Sequence, residues 1–304
     1  MRVVCLLLTV TALAGCRDSA SWPPDGGQLR TFASIPPAAY LVERIGGPHV
    51  QVGVLVGPGQ SPHTFEPTPR QVAALCEAQA FFTIGLPFER LIVAKLAATR
   101  PELRVVDLRD GIELLPAVEH VHEAVAAQSE PGASGGHAHG EDAYDPHFWL
   151  DPQRARIAAS TIAIALQQLD PSHGEEYAQR LAGVQVELAE LDARIAARLA
   201  PFHGREFFVF HPAYGYFADR YGLKQVAIET AGKEPGARRL THLIERARAA
   251  RARVIFYEPQ FSAAAAQAVA RELGARVIPL DPQARDYLRN LDDIAAKTEE
   301  ALRP

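Results

Sequence analysis

The sequence predicts an α/β protein of two lobes, each a parallel sheet flanked by helices, joined by one long rigid helix with a cleft between the lobes. Three observations carry this. Short β-branched runs alternate with helical patterns from Leu29 to Leu169, the alternation resumes at Glu206, and the longest helical pattern of the 304-residue chain lies between the two stretches. Strands alternating with helices argue for parallel sheets covered on both faces. Such open sheets receive ligands beyond the carboxyl ends of their strands, so the fold class also says where chemistry is to be sought.

In the first lobe, strands are expected at Leu29–Ile35, Val50–Val56, Ala80–Ile84 and Arg104–Asp107. Helices fall between them at Ala38–Ile45, Arg70–Ala78 and Phe88–Ala97, and Arg154–Leu169 closes the lobe. Asp170-Pro171 then offers an N-cap followed by proline at the first helical position. Tyr177, Leu181, Val184, Leu188, Leu191, Ile195 and Leu199 recur at steps of three and four, an apolar stripe on one helix face that runs to Pro201. A single helix resists bending better than a few extended loops, so a stiff body with limited closure is expected. The second lobe repeats the plan with strands at Glu206–His211, Gln225–Glu229, Val254–Glu258 and Arg276–Leu280. Its helices are expected at Tyr214–Tyr221, Arg238–Arg251, Ala263–Leu273 and Asp286–Leu302.

The first residues point to export. Arg2 precedes the apolar run Val3–Leu13, and Leu13-Ala14-Gly15-Cys16 follows, the charged, apolar, small-residue order of a secretory leader too short to span a bilayer. A cysteine directly after Leu-Ala-Gly looks like a bacterial lipobox, with Cys16 lipidated and anchored to a membrane rather than crossing it. The expected organisation is a signal peptide at 1–15, a lipidated Pro/Gly-rich tether at 16–28, an N-terminal lobe at 29–169, a linking helix at 170–201 and a C-terminal lobe at 202–304. Without Arg2, 30 basic and 36 acidic side chains remain, a net charge of −6, so no basic surplus attracts nucleic acid. With Cys5 in the leader and Cys16 acylated, Cys76 has no disulfide partner.

Three histidines stand in distinctive loops: His63 in Ser61-Pro-His-Thr-Phe-Glu-Pro-Thr-Pro69, His147 in Asp145-Pro-His-Phe-Trp-Leu-Asp-Pro152, and His211 in His-Pro-Ala-Tyr-Gly215. They are 84 and 64 residues apart, so only the fold can gather them. Three neutral imidazoles and one carboxylate form a ligand set suited to Zn²⁺. Asp281, after Val277-Ile-Pro-Leu280, sits at a strand end and is the candidate carboxylate, though Asp before Pro also starts turns. Prolines 62 and 67 hold the His63 loop extended. Asp151 reads as the cap of the helix beginning near Pro152; Asp145 is either a partner for an imidazole N–H or a loop residue. His49, His173, His203 and His242 read as solvent-facing or loop residues. Residues 117–143, rich in Ala, Gly, Glu and His, read as a mobile loop carrying His120, His122, His137 and His139, candidates for auxiliary metal capture.

These motifs, followed by Gly232-Lys-Glu-Pro235 and Phe256-Tyr-Glu-Pro-Gln-Phe-Ser262, occur in an order that resembles the metal-binding lipoproteins of bacterial ABC importers for zinc and manganese. The resemblance runs from about Leu29 to the C-terminus. It implies metal between two lobes, ligated at His63, His147, His211 and Asp281, and delivery to an ABC-transporter permease driven by a cytoplasmic ATPase. It further implies a monomer at the cell envelope, on the periplasmic side or the outer face of the cytoplasmic membrane. Manganese-type members resemble this pattern with Glu in the third position; His211 there points to zinc, because Mn²⁺ suits oxygen-rich sites. No Gly-x-x-x-x-Gly-Lys-Ser/Thr is present, so ATP hydrolysis falls to partner subunits. A binding protein for Mn²⁺ or Fe²⁺ is the nearest alternative. A secreted zinc hydrolase using His63-Thr-Phe-Glu66 is the other, but His211 and Asp281 would fill the position a catalytic water needs.

Overall fold

The computed structural model describes residues 27–117, 144–229 and 236–303. The leader, Cys16, His120, His122, His137, His139 and the Gly232–Pro235 motif lie outside the described residues. The first sheet is built from β1 (Leu29–Ala33), β2 (Val50–Val54), β3 (Ala80–Thr83) and β4 (Arg104–Asp107), in the order β2-β1-β3-β4 and all parallel. The second uses β5 (Glu206–Val209), β6 (Lys224–Ala227), β7 (Val254–Tyr257) and β8 (Arg276–Pro279), in the order β6-β5-β7-β8, again parallel. The two lobes therefore repeat one winding.

Helices α1 (Pro36–Gly46), α2 (Pro69–Cys76), α3 (Pro87–Thr99) and α4 (Pro152–Leu169) belong to the first lobe. The connecting helix is α5 (Gly174–Leu199), with a 3-10 turn at Pro171–His173 before it and another at Ala200–Phe202 after it. Helices α6 (Gly215–Tyr221), α7 (Ala237–Ala249), α8 (Ala263–Leu273) and α9 (Tyr287–Leu302) complete the second lobe.

The stripe on α5 is buried as the spacing predicts: Tyr177, Val184, Leu188, Leu191, Ile195 and Leu199 are all covered. They meet α4 and α1 on one side and α9 on the other, and α9 also touches β5. The helix entry differs from expectation. Asp170 does not cap α5; its carboxylate instead accepts from Ser172 Oγ, His173 Nδ1 (2.6 Å) and Tyr177 OH (2.7 Å). Three nearby donors hold it in the preceding turn, and His173 becomes the residue before the helix. Nor is His173 a free surface group: it stacks on His49 with ring centroids 3.7 Å apart, and His49 bonds Glu176 at 2.9 Å.

Strand β5 shows how the core is divided. Phe207 and Val209 face a core shared with the first lobe, α5 and α9, while Phe208 faces a smaller core against Val226, Leu243, Ile255 and Val269. This is the period of two of a strand buried on both faces. The larger core runs unbroken from one sheet to the other. Polar ties reinforce it: Trp149 Nε1 donates to Pro282 O at 2.8 Å, Tyr287 OH to Trp149 O, and Asp192 on α5 accepts from Gln153 of the first lobe and Arg220 of the second.

Two outcomes follow for stability. Leu188→Ala removes a fully buried side chain and costs about 2–5 kcal/mol, whereas Val186→Ala, at a position 57 % exposed, stays within about 0.5 kcal/mol; urea unfolding of both variants checks the contrast. Glu89 on α3 accepts from the backbone N–H groups of Ile84, Gly85 and Leu86, yet burial pushes its carboxyl up to about 6. Its folded value thus lies above the roughly 4.3 of an unfolded chain. That contribution to stability is complete below about pH 4 and lost as pH rises through 6, amounting to about 2 kcal/mol. Urea midpoints of the parent, measured against Glu89→Gln, should fall between pH 4 and 7; a flat difference would refute the assignment.

Candidate metal centre

Three loops bring histidines together, two of them leaving the carboxyl ends of β2 and β5 and the third preceding α4. The β2–α2 loop brings His63. Phe65, two residues on, is buried against Phe88 with centroids 4.9 Å apart, and Gln71 Nε2 donates to Leu55 O at 2.8 Å, so the loop is pinned at both sides. Pro62 is also buried. His63 itself keeps an exposed ring edge while its Nε2 turns inward.

His147 is buried and precedes a 3-10 turn at Phe148–Leu150. Asp145 Oδ1 accepts from its backbone N at 2.9 Å and its Nδ1 at 2.6 Å. The role left open for Asp145 in the sequence is therefore that of an imidazole partner, while Asp151 caps α4 through Gln153 N at 2.8 Å. Asp145 packs so tightly on α6 that a Cβ on Gly215 would lie 2.6 Å from its Oδ2. That contact explains the glycine in His-Pro-Ala-Tyr-Gly.

His211 follows β5. Its backbone N donates to Glu258 Oε2 at 3.1 Å, and its Nδ1 meets Glu229 Oε1. Phe261 stacks on the ring at 4.8 Å and the Trp149 ring stands 5.2 Å from that of His147, so an aromatic side chain flanks each of these two imidazoles. His211 Nε2 and His63 Nε2 are 3.1 Å apart, and one nitrogen from each of the three rings lies within 4.8 Å of the others. Nitrogens around tetrahedral zinc stand about 3.3 Å apart, given Zn–N bonds near 2.05 Å, so small side-chain shifts suffice to close on an ion.

Electrostatics prepare the same step. Burial, then repulsion from His147 and His211, holds the His63 imidazole far below its usual range. Burial also lowers His211, against the opposing bond from Glu229. Neutral imidazoles are the metal-binding form. Burial drives the Glu258 carboxyl well above the carboxylate range.

Asp281 stands apart from this trio. It is half-buried, and its Oδ1 accepts from Gln260 Nε2 at 2.6 Å and Gln283 N at 2.9 Å. Leu280 O receives Tyr214 OH and Pro282 O receives Trp149 Nε1, which fixes the Asp281 turn against the His147 loop. Glu66 is exposed and is not grouped with the histidines. Sequence reasoning missed Glu229 as a partner of His211; its position at the end of the strand beside β5 was the available signal.

Known proteins resemble this chain over most of its length. The model of the ZnuA family, described as zinc-uptake complex component A periplasmic, matches residues 32–301. The chain is 31 % identical over 264 residues to the high-affinity zinc uptake system protein ZnuA of Yersinia pestis, covering 82 % of this chain and 81 % of that one. It is 29 % identical to the zinc-binding lipoprotein AdcA of Streptococcus pneumoniae R6, covering 84 % of this chain but only 50 % of AdcA, so it spans about half that relative's length. A crystal structure of ZnuA superimposes with a TM-score of 0.81 at 39 % identity, over 91 % of this chain and 100 % of the other. With its two parallel sheets and its histidine cluster between them, the chain belongs to the ZnuA family of periplasmic zinc-uptake components.

Proposed function

We propose that the protein captures Zn²⁺ outside the cytoplasmic membrane through His63, His147 and His211, with Asp281 as the fourth ligand, and hands it to the permease of an ABC importer. The observation that carries this reading is the convergence of three imidazole nitrogens within 4.8 Å from loops far apart in sequence. Asp281 joins by releasing Gln260 and turning toward the trio. The protein acts as a monomer without binding nucleic acid, held to the envelope by lipid on Cys16 and a tether through residue 28, with lobes at 29–169 and 202–304 about the 170–201 helix. It is not an enzyme: ligands surround the ion, and the exposed Glu66 counts against a hydrolytic base. His120, His122, His137 and His139 serve as auxiliary capture sites. Support comes from the Pro116–Tyr144 bridge, whose flanking Asp145 N–H donates to Leu115 O at 2.9 Å, so that described residues on either side of that stretch of sequence meet three residues before His147.

Alanine at His63, His147 or His211 should each weaken Zn²⁺ binding by at least about a hundredfold, since four ligands together supply about 10–16 kcal/mol in structural zinc sites. Chelator-competition calorimetry reads this directly, and parental affinity in all three variants would remove the site. Zn²⁺ should outcompete Mn²⁺ for the parent protein, and His211→Glu should narrow that preference. Elemental analysis after exposure to both metals decides it; a manganese-loaded parent would reverse the metal assignment.

A further inference from the structure

We propose that Asp145 and Glu229 are positioning residues: each takes the Nδ1–H of one imidazole and so aims its Nε2 lone pair at the cation before the cation arrives. The proposal rests on the three-histidine reading above. A neutral imidazole has one donor and one acceptor nitrogen, and the partner of one nitrogen decides which the other will be. Without a partner, the ring exchanges tautomers and flips, and part of the population presents an N–H to the ion.

Both carboxylates are buried, Asp145 at 5 % and Glu229 at 3 % exposure, where an unpaired charge would be costly. Both are also held by backbone. Asp145 N donates to Leu115 O at 2.9 Å, its carbonyl accepts Tyr216 OH at 2.8 Å, and Gly215 closes against its carboxylate. Glu229 N donates to Phe210 O at 3.0 Å, which extends the β5–β6 pairing to the residue before His211. His147 and His211 come from different lobes and unrelated loops, yet each meets a carboxylate through the same ring atom. A packing requirement alone would not select Nδ1 twice. His63 contrasts with them: its ring-nitrogen contact is His211 Nε2 itself.

The test compares Glu229→Ala with Glu229→Gln, and Asp145→Ala with Asp145→Asn, in the full chain. Zn²⁺ affinity is read by chelator competition, and the visible absorption of bound Co²⁺ serves as the signature of ligand geometry. The alanine variants should bind about ten- to a hundredfold more weakly and shift the Co²⁺ bands. The amide variants retain a carbonyl to accept Nδ1–H and should recover most of the affinity and the parental spectrum. Alanine variants that bind like the parent, or amide variants as weak as the alanines, overturn the proposal. Thermal melting identifies any variant that fails to fold, and the other carboxylate's pair then decides. The two levels separate cleanly: parental affinity in these variants alongside loss in His147→Ala and His211→Ala rejects the positioning role alone, while parental affinity in the histidine variants rejects the site.

Discussion

Burial of Val184, Leu188, Leu191, Ile195 and Leu199 on one face of α5 holds the two sheets in a single orientation, because α1, α4 and α9 all pack on that helix. The ends of β2 and β5 and the turn before α4 then have fixed separations, and the loops that follow inherit them. Interiors at crystal-like density are bistable or rigid rather than continuously deformable. The Trp149–Pro282 bond and the Asp192 node add directional ties beside the metal centre and along α5. These contacts all oppose a swing of one lobe against the other.

The chemistry of the centre follows from crowding three imidazoles together, two of them buried. Burial lowers His63 and His211 from the usual imidazole range and repulsion from His147 adds to both, so these two rings favour the neutral, metal-binding form. The same burial would penalise unpaired ring nitrogens. Asp145 and Glu229 remove that penalty at Nδ1 of two rings, whereas His63 is exposed. The centre thus sets two buried imidazoles, each held by a carboxylate, beside one that is exposed.

Much of this was legible from the chain. Short β-branched runs located all eight described strands within two residues. Leu29–Ile35 was expected where β1 ends at Ala33, although Ser34 N still donates to Phe82 O and Val56 N to Ser34 O as the ladder frays. The three histidines were legible because proline and aromatic neighbours mark their loops. Glu229 was not, since its pairing with His211 depends on β6 lying beside β5, and strand order is not written in local periodicity. Asp170 misled for a related reason: a cap motif competes with side-chain donors three and seven residues ahead, and His173 and Tyr177 won.

Trp149 carries a consequence of its own. The chain has two tryptophans, Trp22 and Trp149, and Trp149 lies at the heart of the fold. Its indole is buried 5.2 Å from the His147 ring and hydrogen-bonded across the cleft to the carbonyl that follows Asp281. Light emitted by Trp149 depends on the polarity and charge around it, so with Trp22 replaced the protein contains an optical gauge of its own loading, readable without any attached dye.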